Sequence, residues 1–446
     1  MYLCVCVQLV FVASLYQNKW LFIRLPIAAG ALLAVVSIWT VFFPMPPTQL
    51  SMTTGGALGS YHPTGLRYAQ RFADHGVTLN VLTSDGSQQN IERLRADKNP
   101  ADLAFLQGGF GYLGTLPERR ERSRIETLAN VEIEGAWLFT LSRTITSLSQ
   151  LKGLRLSVGR DGGGSRTVAQ KLLAQAQIDP KEITLSDEVG MESAKALEQG
   201  LIDAVFLVAP DDSTTLKLFL AIPNIQLASL GKSQAIVGRN LYLESRLLAQ
   251  GALGGGMPQR DTTVLTATAS LVSREELHPA LKRLTAAIST EIHTNANVFR
   301  QAGEFPSLKR LDFPSSPQAR TTLADGLPFL ERTLPFWWAQ FVQRLLFIAL
   351  PIALLAWWLM QLLPSVLRWT LENKLIRWYG ELKFIEHDLI QADVPGLDLA
   401  RFSVRLNAIE KDLLRFQCPK DMMARCYTLR QHVDFVRLRI YSVRGR

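Results

Sequence analysis

The sequence predicts a two-lobed α/β domain held between two membrane-spanning helices and followed by a C-terminal helical hairpin. Three observations lead to this prediction. Two long stretches are almost free of charge, strand and helix patterns alternate between them, and apolar residues recur at helical spacing near the C-terminus. The length of 446 residues fits two or three structural units.

Each apolar stretch is long enough to cross a bilayer. The first, residues 20–43, has Arg24 as its one charged residue, and the second, residues 336–364, has an uncharged centre at Leu345–Leu363. A hydrocarbon core of about 30 Å needs roughly 20 apolar residues in a helix. We therefore predict two transmembrane helices, with a short apolar segment, residues 1–19, ahead of the first.

The net charge of +9 is concentrated near these stretches. Residues 44–335 contain 30 Lys and Arg against 29 Asp and Glu, whereas residues 365–446 contain 15 against 10. Because cytoplasmic flanks keep an excess of Lys and Arg, this distribution predicts two cytoplasmic termini, with the central domain across the membrane. In a bacterium that is an inner-membrane protein with a periplasmic domain. The lipid bilayer, and not a nucleic acid, is then the partner that explains the basic charge.

The central segment alternates between strand and helix patterns. Strands are predicted at Gln49–Thr53, Val77–Thr83, Ala101–Leu106, Trp137–Leu141, Leu154–Val158, Ala204–Val208 and Val264–Leu271. Helices are predicted at Pro63–His75, Gln88–Ala96, Ser165–Gln175, Ser193–Gln199 and Glu276–Thr290. This alternation predicts an α/β fold with parallel sheets, and residues 48–335 are too many for one core, which predicts two lobes.

Three Gly-rich junctions between a strand and a helix carry the candidate site. They are Thr53–Pro63, Thr83–Asn90 and Gly159–Thr167, and each contains hydroxyl side chains. Helix N-termini present free N–H groups and the positive end of the dipole, so several of them around one cleft would bind a carboxylate or another anion. None has the spacing of a P-loop or a dinucleotide-binding fingerprint. Each junction alone is equally compatible with a purely structural turn.

The C-terminal tail, residues 365–446, predicts a helical hairpin. Apolar positions recur at helical spacing in two runs, and Val394–Gly396 separates them. The runs are Leu371, Leu375, Trp378 and Leu382, then Leu406, Ile409, Leu413 and Phe416. Anchoring beside anionic lipid and docking of a signalling partner both remain open for this hairpin.

Catalytic and metal-binding patterns are missing from the sequence. There is no GxSxG or HExxH motif, and His62 is the one histidine in a Gly-rich junction, where a rim position is the alternative to a catalytic base. The four cysteines lie outside the central segment, and they include no CxxC pair with a second pair or a His partner, as a zinc site would need. The sequence therefore predicts a protein that is not an enzyme, with no cofactor and no metal.

As a set, the motifs resemble those of the TAXI family, the solute-binding subunits of TRAP transporters. The resemblance rests on the order of Gly55–Gly65, Thr83–Asn90, ADLAFLQ at Ala101–Gln107, LKGLRLSVG with GGGSRT at Leu151–Thr167, and GLIDAVFLVA at Gly200–Ala209. A membrane-anchored sub-branch with a PFLERTLPFWWAQ-type segment, as at Pro328–Gln340, looks like this chain. The match covers roughly residues 50–300.

The resemblance implies a periplasmic-binding-protein (Venus flytrap) fold whose two lobes close on a small carboxylate or an amino acid such as glutamate. It implies a first lobe at 48–138 and 240–335 and a second at 139–239, with TRAP permease subunits as partners. The implied ligand-binding residues are Gly56, Ser60, Tyr61, Thr83, Gly86, Ser87 and Gln107 from the first lobe, and Gly162, Ser165 and Thr167 from the second.

The chain departs from the family pattern in two respects. It has a membrane span on each side of the domain, and the DGGGSR turn places Arg160 and Arg166 beside the implied cleft, where they would bind a carboxylate or lie solvated on the rim. Asn90 is expected to cap its helix and Asp203 to support the sheet. These departures leave two functions open, a receptor for an uptake system and a transmembrane sensor that signals to a cytoplasmic partner.

Overall fold

The computed structural model describes residues 19–57, 59–111, 124–141, 143–230, 233–240, 242–390, 399–416, 418 and 422–444. The chain divides into two compact units. The central unit is Pro44–Arg344, and the second unit combines Met1–Phe43 with Leu345–Arg446. The predicted apolar segment ahead of Lys19 and the predicted break at Val394–Gly396 lie outside the described residues.

The bounds of the regular elements are as follows. The strands are β1 (Gln49–Thr53), β2 (Thr78–Leu82), β3 (Leu103–Gln107), β4 (Ile125–Thr140), β5 (Arg155–Ser157), β6 (Thr184–Ser186), β7 (Ala204–Ala209), β8 (Gln226–Leu227), β9 (Leu243–Leu248) and β10 (Thr262–Arg274). The helices are α1 (Lys19–Phe42), α2 (Tyr61–Asp74), α3 (Ser87–Arg95), α4 (Gly164–Gln175), α5 (Met191–Glu198), α6 (Thr214–Leu220), α7 (Ser233–Arg239), α8 (Pro279–His293), α9 (Pro317–Asp325), α10 (Phe329–Thr333), α11 (Phe336–Arg344), α12 (Leu350–Ile390), α13 (Leu399–Arg415) and α14 (Met423–Arg444).

One sheet runs through the central unit in the order β2-β1-β3-β10-β4-β7-β5-β6, with β8 beside β4 and β9 beside β10. The pairs β1–β2, β1–β3, β5–β6 and β5–β7 are parallel. The prediction of parallel sheets holds for these pairs but not for the whole sheet, because β4 and β10 run antiparallel to each other and to their other neighbours. The antiparallel strands were not recognised as such because hydrophobic patterning does not encode strand direction.

The two long strands β4 and β10 divide the sheet into two halves. We call β1–β3, with helices α2, α3 and α8, the first half, and β5–β7, with α4 and α5, the second half. The first half pairs with β10 over Leu103–Gln107, and the second half pairs with β4 over Gly135–Thr140. Each half buries its own apolar core, in the first half around Tyr68 and Phe72 and in the second around Val168 and Leu172. The central unit is therefore an α/β architecture with a mixed sheet.

Strand β4 is much longer than predicted. The sequence indicated a strand at Trp137–Leu141, whereas β4 begins at Ile125 and most of its residues are buried. The acidic residues Glu126, Glu132 and Glu134 interrupt its apolar pattern, which is why sequence patterning missed its first three quarters.

Two helical stretches, Arg24–Phe42 and Phe336–Ile390, are long and apolar enough to cross a membrane. A π-helical turn, Leu345–Ala349, precedes α12. Pro351 lies in the next turn and lacks the N–H group of a regular helical hydrogen bond, so a local departure from α geometry is expected there.

The tail contains a helix that the sequence analysis did not predict. The C-terminal part of α12 packs with α13, as expected for a hairpin, and α14 adds a third segment to the same apolar core. Leu382, Ile409 and Leu429 are examples of its buried residues. A disulfide bond joins Cys418 to Cys426 at the beginning of this third helix.

Candidate functional site

The second and third Gly-rich junctions, one from each half of the sheet, contact each other. A Cβ atom on Gly86, in the first half, would lie 2.7 Å from the carbonyl oxygen of Gly162 and 3.0 Å from the Cα of Gly163, both in the second half. Gly86 has a φ of +142° and Gly162 a φ of +76°, values that favour glycine. Glycine therefore allows the two backbones to come into contact, and the N-terminal ends of α3 and α4 meet there.

Gln107, at the end of β3, fills the space next to this contact. A Cβ atom on Gly164 would overlap the Oε1 of Gln107 and lie 2.6 Å from its Cδ. Gln107 is 5 % exposed, and its Nε2 has no hydrogen-bond partner. Ser84, one residue after the predicted Thr83, is 8 % exposed and its Oγ also lacks a partner. A buried donor without a partner costs about 1–3 kcal/mol, so both groups are suited to an acceptor on a ligand.

Three predicted hydroxyl residues bond the backbone instead. Ser87 Oγ accepts the N–H of Gln107 at 2.9 Å, and Ser165 Oγ accepts the N–H of Val208 at 2.9 Å. Thr167 Oγ1 donates to the carbonyl of Gly163 at 3.1 Å. In this structure these side chains hold the junctions in shape, because their hydrogen bonds join each junction to the neighbouring strand or turn.

The first junction forms a turn that leads into α2. The N–H of Gly59 donates to the carbonyl of Gly56 at 2.8 Å, and Ser60 lies at the N-cap without a side-chain capping bond. Thr83, in the second junction, is exposed, and its carbonyl accepts a hydrogen bond from Arg93 Nη1 at 2.7 Å. Of these residues, Ser60 keeps a side chain that is free of any capping bond.

Among the predicted ligand-binding residues, Tyr61 makes a hydrogen bond to β4. Its hydroxyl donates to Glu134 Oε2 at 3.0 Å, and its ring lies 5.4 Å from the ring of Phe105. Glu134 is 2 % exposed, and burial raises the pKa of its carboxyl to about 8, although the Tyr61 hydroxyl acts in the opposite direction. Burial, and then the charge of Glu134, raise the pKa of Tyr61 well above its ordinary value. Sequence analysis missed Glu134.

The two candidate arginines, Arg160 and Arg166, have different surroundings. Arg160 is exposed. Arg166 is bound within the second half, with its guanidinium paired to Asp161 at 2.7 Å and to Asp187, and with Nη1 donating to the carbonyl of Gly159 at 3.0 Å. Both acidic partners are largely exposed, so these pairs hold the turn and add little stability.

Asn90 and Asp203 are structural, as expected, but Asn90 does not cap its helix. Its side chain is fully buried, donates to the carbonyls of Thr54 and Phe105 at 2.7 and 2.8 Å, and accepts the Thr53 hydroxyl at 2.6 Å. It therefore ties the end of β1 to β3. Asp203 accepts the N–H of Arg155 at 2.8 Å and pairs with its guanidinium.

A separate cavity of about 250 Å³ lies on the opposite face of β4 and β10 from Glu134. Ile133, Thr266 and Thr268 line it, and side-chain alternation along each strand places them on the other face. Its lining includes none of the predicted site residues. Among the residues that the structure describes, no cluster of His, Cys, Asp and Glu side chains could hold a metal ion.

The NMT1-like family profile matches residues 52–277, slightly more than half of the chain. The chain belongs to the NMT1-like family. This match covers both halves of the sheet and all three junctions, and it begins within β1 and ends just after β10.

Solved structures of binding proteins are similar in fold. One is the alkanesulfonate-binding protein SsuA from Xanthomonas axonopodis pv. citri bound to MOPS, at 14% identity over 56% of this chain and 74% of that one, with a TM-score of 0.33. Another is an ancestral arginine-binding protein bound to arginine, at 15% identity over 56% and 95%, with a TM-score of 0.36. A third is a mutant of ArgBP from T. maritima, at 13% identity over 58% and 93%, with a TM-score of 0.35. At these values they carry no argument about the ligand.

Proposed function

We propose that this chain is a membrane-anchored extracytoplasmic receptor that binds a small carboxylate or an amino acid between the two halves of its central sheet. The observation that carries the proposal is the pair of buried polar groups without partners, Gln107 Nε2 and Ser84 Oγ, next to the contact between two glycine junctions. Free N–H groups at the start of α3 and α4 add donors at the same place.

In this proposal the two halves act as lobes. The first lobe comprises 48–138 and 240–335, the second comprises 139–239, and β4 runs from the first into the second. Closure brings Gly86 against Gly162 and Gln107 against Gly164, and it expels water from the ligand. The polar contacts strengthen because they then lie in a medium of low dielectric constant.

The uptake role extends the proposal to the membrane. Two apolar helices would anchor the receptor, and the motif order shared with TAXI proteins supports delivery of the ligand to TRAP-type permease subunits. By the distribution of Lys and Arg, both termini would be cytoplasmic and the central unit periplasmic.

The disulfide in the tail favours a different topology, in which the tail lies outside the cytoplasm. Disulfides persist in oxidising compartments and are rare in the cytosol, yet Cys418 and Cys426 lie in the segment that the charge distribution assigns to the cytoplasm. The excess of Lys and Arg in residues 365–446 favours a cytoplasmic tail, and we expect both thiols to be reduced in cells. A reporter fusion after Arg446, together with thiol labelling of intact and permeabilised cells, tests this: an extracytoplasmic reporter would contradict the topology.

A sensor is the second candidate, and helix α12 is the observation that favours it. Its 41 residues extend for about 60 Å, twice the thickness of a bilayer core, from the apolar segment into the tail bundle. A continuous helix would carry a displacement from one side of the membrane to the other. A cytoplasmic protein that crosslinks to the tail only when ligand is present would favour the sensor over the uptake receptor.

Ligand binding by the full chain in nanodiscs tests the receptor itself. The thermal melting temperature is measured with amino acids, dicarboxylates and monocarboxylates, after partial unfolding and refolding has removed any bound ligand. A binder raises the melting temperature in proportion to the logarithm of its concentration. Gln107→Ala should weaken that effect and Gly238→Ala, at an open position on α7, should leave it unchanged. No stabilisation by any compound would contradict the proposal.

A further inference from the structure

Glu134 differs from the other carboxylates of its strand. On β4, Glu126 pairs with Lys282 at 2.6 Å, and Glu132 pairs with Arg300 at 3.0 Å. Glu134 is more deeply buried than either, but no Lys, Arg or His in the described part of the chain forms an ion pair with it. Its carboxyl accepts a hydrogen bond from the Tyr61 hydroxyl.

Glu134 faces the same side of the sheet as Gln107. In the strand register, Glu134 lies opposite Ala267 and Gln107 lies opposite Ala269, both on β10. Opposite residues share a face, and so do residues two apart on one strand, so the two side chains lie on one face. They are two strands apart, about 10 Å across the sheet, and two residues apart along it, about 7 Å, so their backbones are about 12 Å from each other. One small molecule can therefore reach both side chains.

Gln107 and Glu134, at the two ends of this face, need ligand groups of opposite character. At one end Gln107 Nε2 and the first N–H groups of α4 are donors that need an acceptor. At the other end a buried carboxyl lacks a cation. A buried carboxylate is costly unless it is paired, and a neutral tyrosine hydroxyl supplies one hydrogen bond but no charge.

We propose that the ligand carries a positively charged amino group that binds Glu134, together with an acidic group that binds Gln107 and the N-terminus of α4. The ligand class is therefore a small zwitterion, and a plain carboxylate or dicarboxylate does not satisfy the site. This inference rests on the proposed receptor function and narrows its ligand. Glu134 and Tyr61 select the amino group, and the donors of the second half and Gln107 hold the acid.

Binding of such a ligand displaces a proton. Because burial raises the pKa of Glu134 to about 8, the carboxyl is mostly protonated at pH 7 in the empty site. The ammonium group of the ligand keeps its own protons, Glu134 releases one proton to solvent, and an ion pair forms. Below about pH 8, the observed affinity should therefore fall by about tenfold for each unit of pH, since binding must compete with that proton.

Matched pairs of compounds test the inference with the full chain in nanodiscs. Glutamate is compared with glutarate, 4-aminobutyrate with butyrate, and taurine with ethanesulfonate, by calorimetric titration at pH 7. Each pair differs in the amino group alone. Within the pair that binds, we expect the amino compound to bind about 10- to 100-fold more tightly, as for a hydrogen bond between charged groups.

Variants separate the role of Glu134 from folding. Glu134→Gln keeps the size and the hydrogen bond from Tyr61, and it should reduce the preference within the pair to less than threefold and remove the proton release. Glu244→Gln is the control, because Glu244 lies opposite Thr266 and so on the other face of the sheet. It should keep the wild-type preference.

The outcomes distinguish the inference from the function on which it rests. If glutarate, butyrate or ethanesulfonate binds as tightly as its amino partner, or if Glu134→Gln keeps the preference, the inference is wrong and the receptor function stands. If no compound of any pair binds to the wild-type chain, both are overturned. Release of one proton that depends on Glu134 supports the inference.

Discussion

Gly164→Ala is the substitution that most directly separates closure from folding. The Cβ atom of alanine at this position would overlap Gln107 Oε1 and lie 2.6 Å from Gln107 Cδ and 3.3 Å from its Cβ. Gln107 is buried, and its terminal amide would have to shift to accept the methyl group. The clash exists only while the two halves of the sheet are in contact, so an open state would accept the methyl group without strain.

The expected magnitude follows from overpacking. Forcing an extra methyl group into a packed site typically costs about 1–3 kcal/mol, which corresponds to a loss of about 5- to 150-fold in ligand affinity. In the ligand-free chain the same change should be neutral or stabilising by less than about 1 kcal/mol, because alanine favours a helix over glycine. Affinity should therefore fall while ligand-free stability is kept or slightly raised, a combination that general misfolding would not produce.

The assay is calorimetric titration of the tightest-binding compound, combined with the melting temperature of the ligand-free chain. Gly238→Ala is the control, since a Cβ atom there meets no other atom within 4 Å. In a Gln107→Ala background, Gly164→Ala should have little further effect, because the overlapping atoms are gone. Wild-type affinity in the Gly164→Ala variant would refute closure by contact between these halves.

Three further predictions concern charge and stability. The native state should lose up to about 5 kcal/mol of stability as the pH rises from 4.5 to about 8, because the pKa of Glu134 is raised on folding, and thermal melts of Glu134→Gln should lack this slope. Lys282→Met should cost about 3–5 kcal/mol by leaving Glu126 buried without its cation, and adding Glu126→Leu should recover most of that loss. Ser165→Ala should cost about 1–3 kcal/mol, because the N–H of Val208 loses its partner; a melting temperature equal to wild type would contradict this.

The parts of the fold that local sequence patterns encode were predicted well. Strand β1 has the predicted bounds, and α2, α3 and α4 each begin within two residues of the predicted position. Glycine, proline and hydroxyl residues mark these junctions because they fit strand–helix turns. The contact of Gly86 with Gly162 could not be predicted, since it joins positions far apart in the chain.

The acidic part of the site could not be predicted for a physical reason. Glutamate is unusual in a buried strand, and the cations that make Glu126 and Glu132 tolerable there, Lys282 and Arg300, lie more than 150 residues further along the chain. Without that distant pairing, nothing local marked Glu134 as the unpaired member of the strand. The sequence analysis therefore named Gln107 and the helix N-termini as donors, which stays a prediction, and it missed Glu134 on β4.

Hydrogen–deuterium exchange of the full chain in nanodiscs, with and without the tightest-binding compound, tests the central claim most directly. The account predicts that ligand slows exchange at Thr83–Asn90 and at Gly159–Thr167 together, because both junctions close on it. Protection of one junction alone, or of neither while the compound is bound, would contradict binding between the two halves.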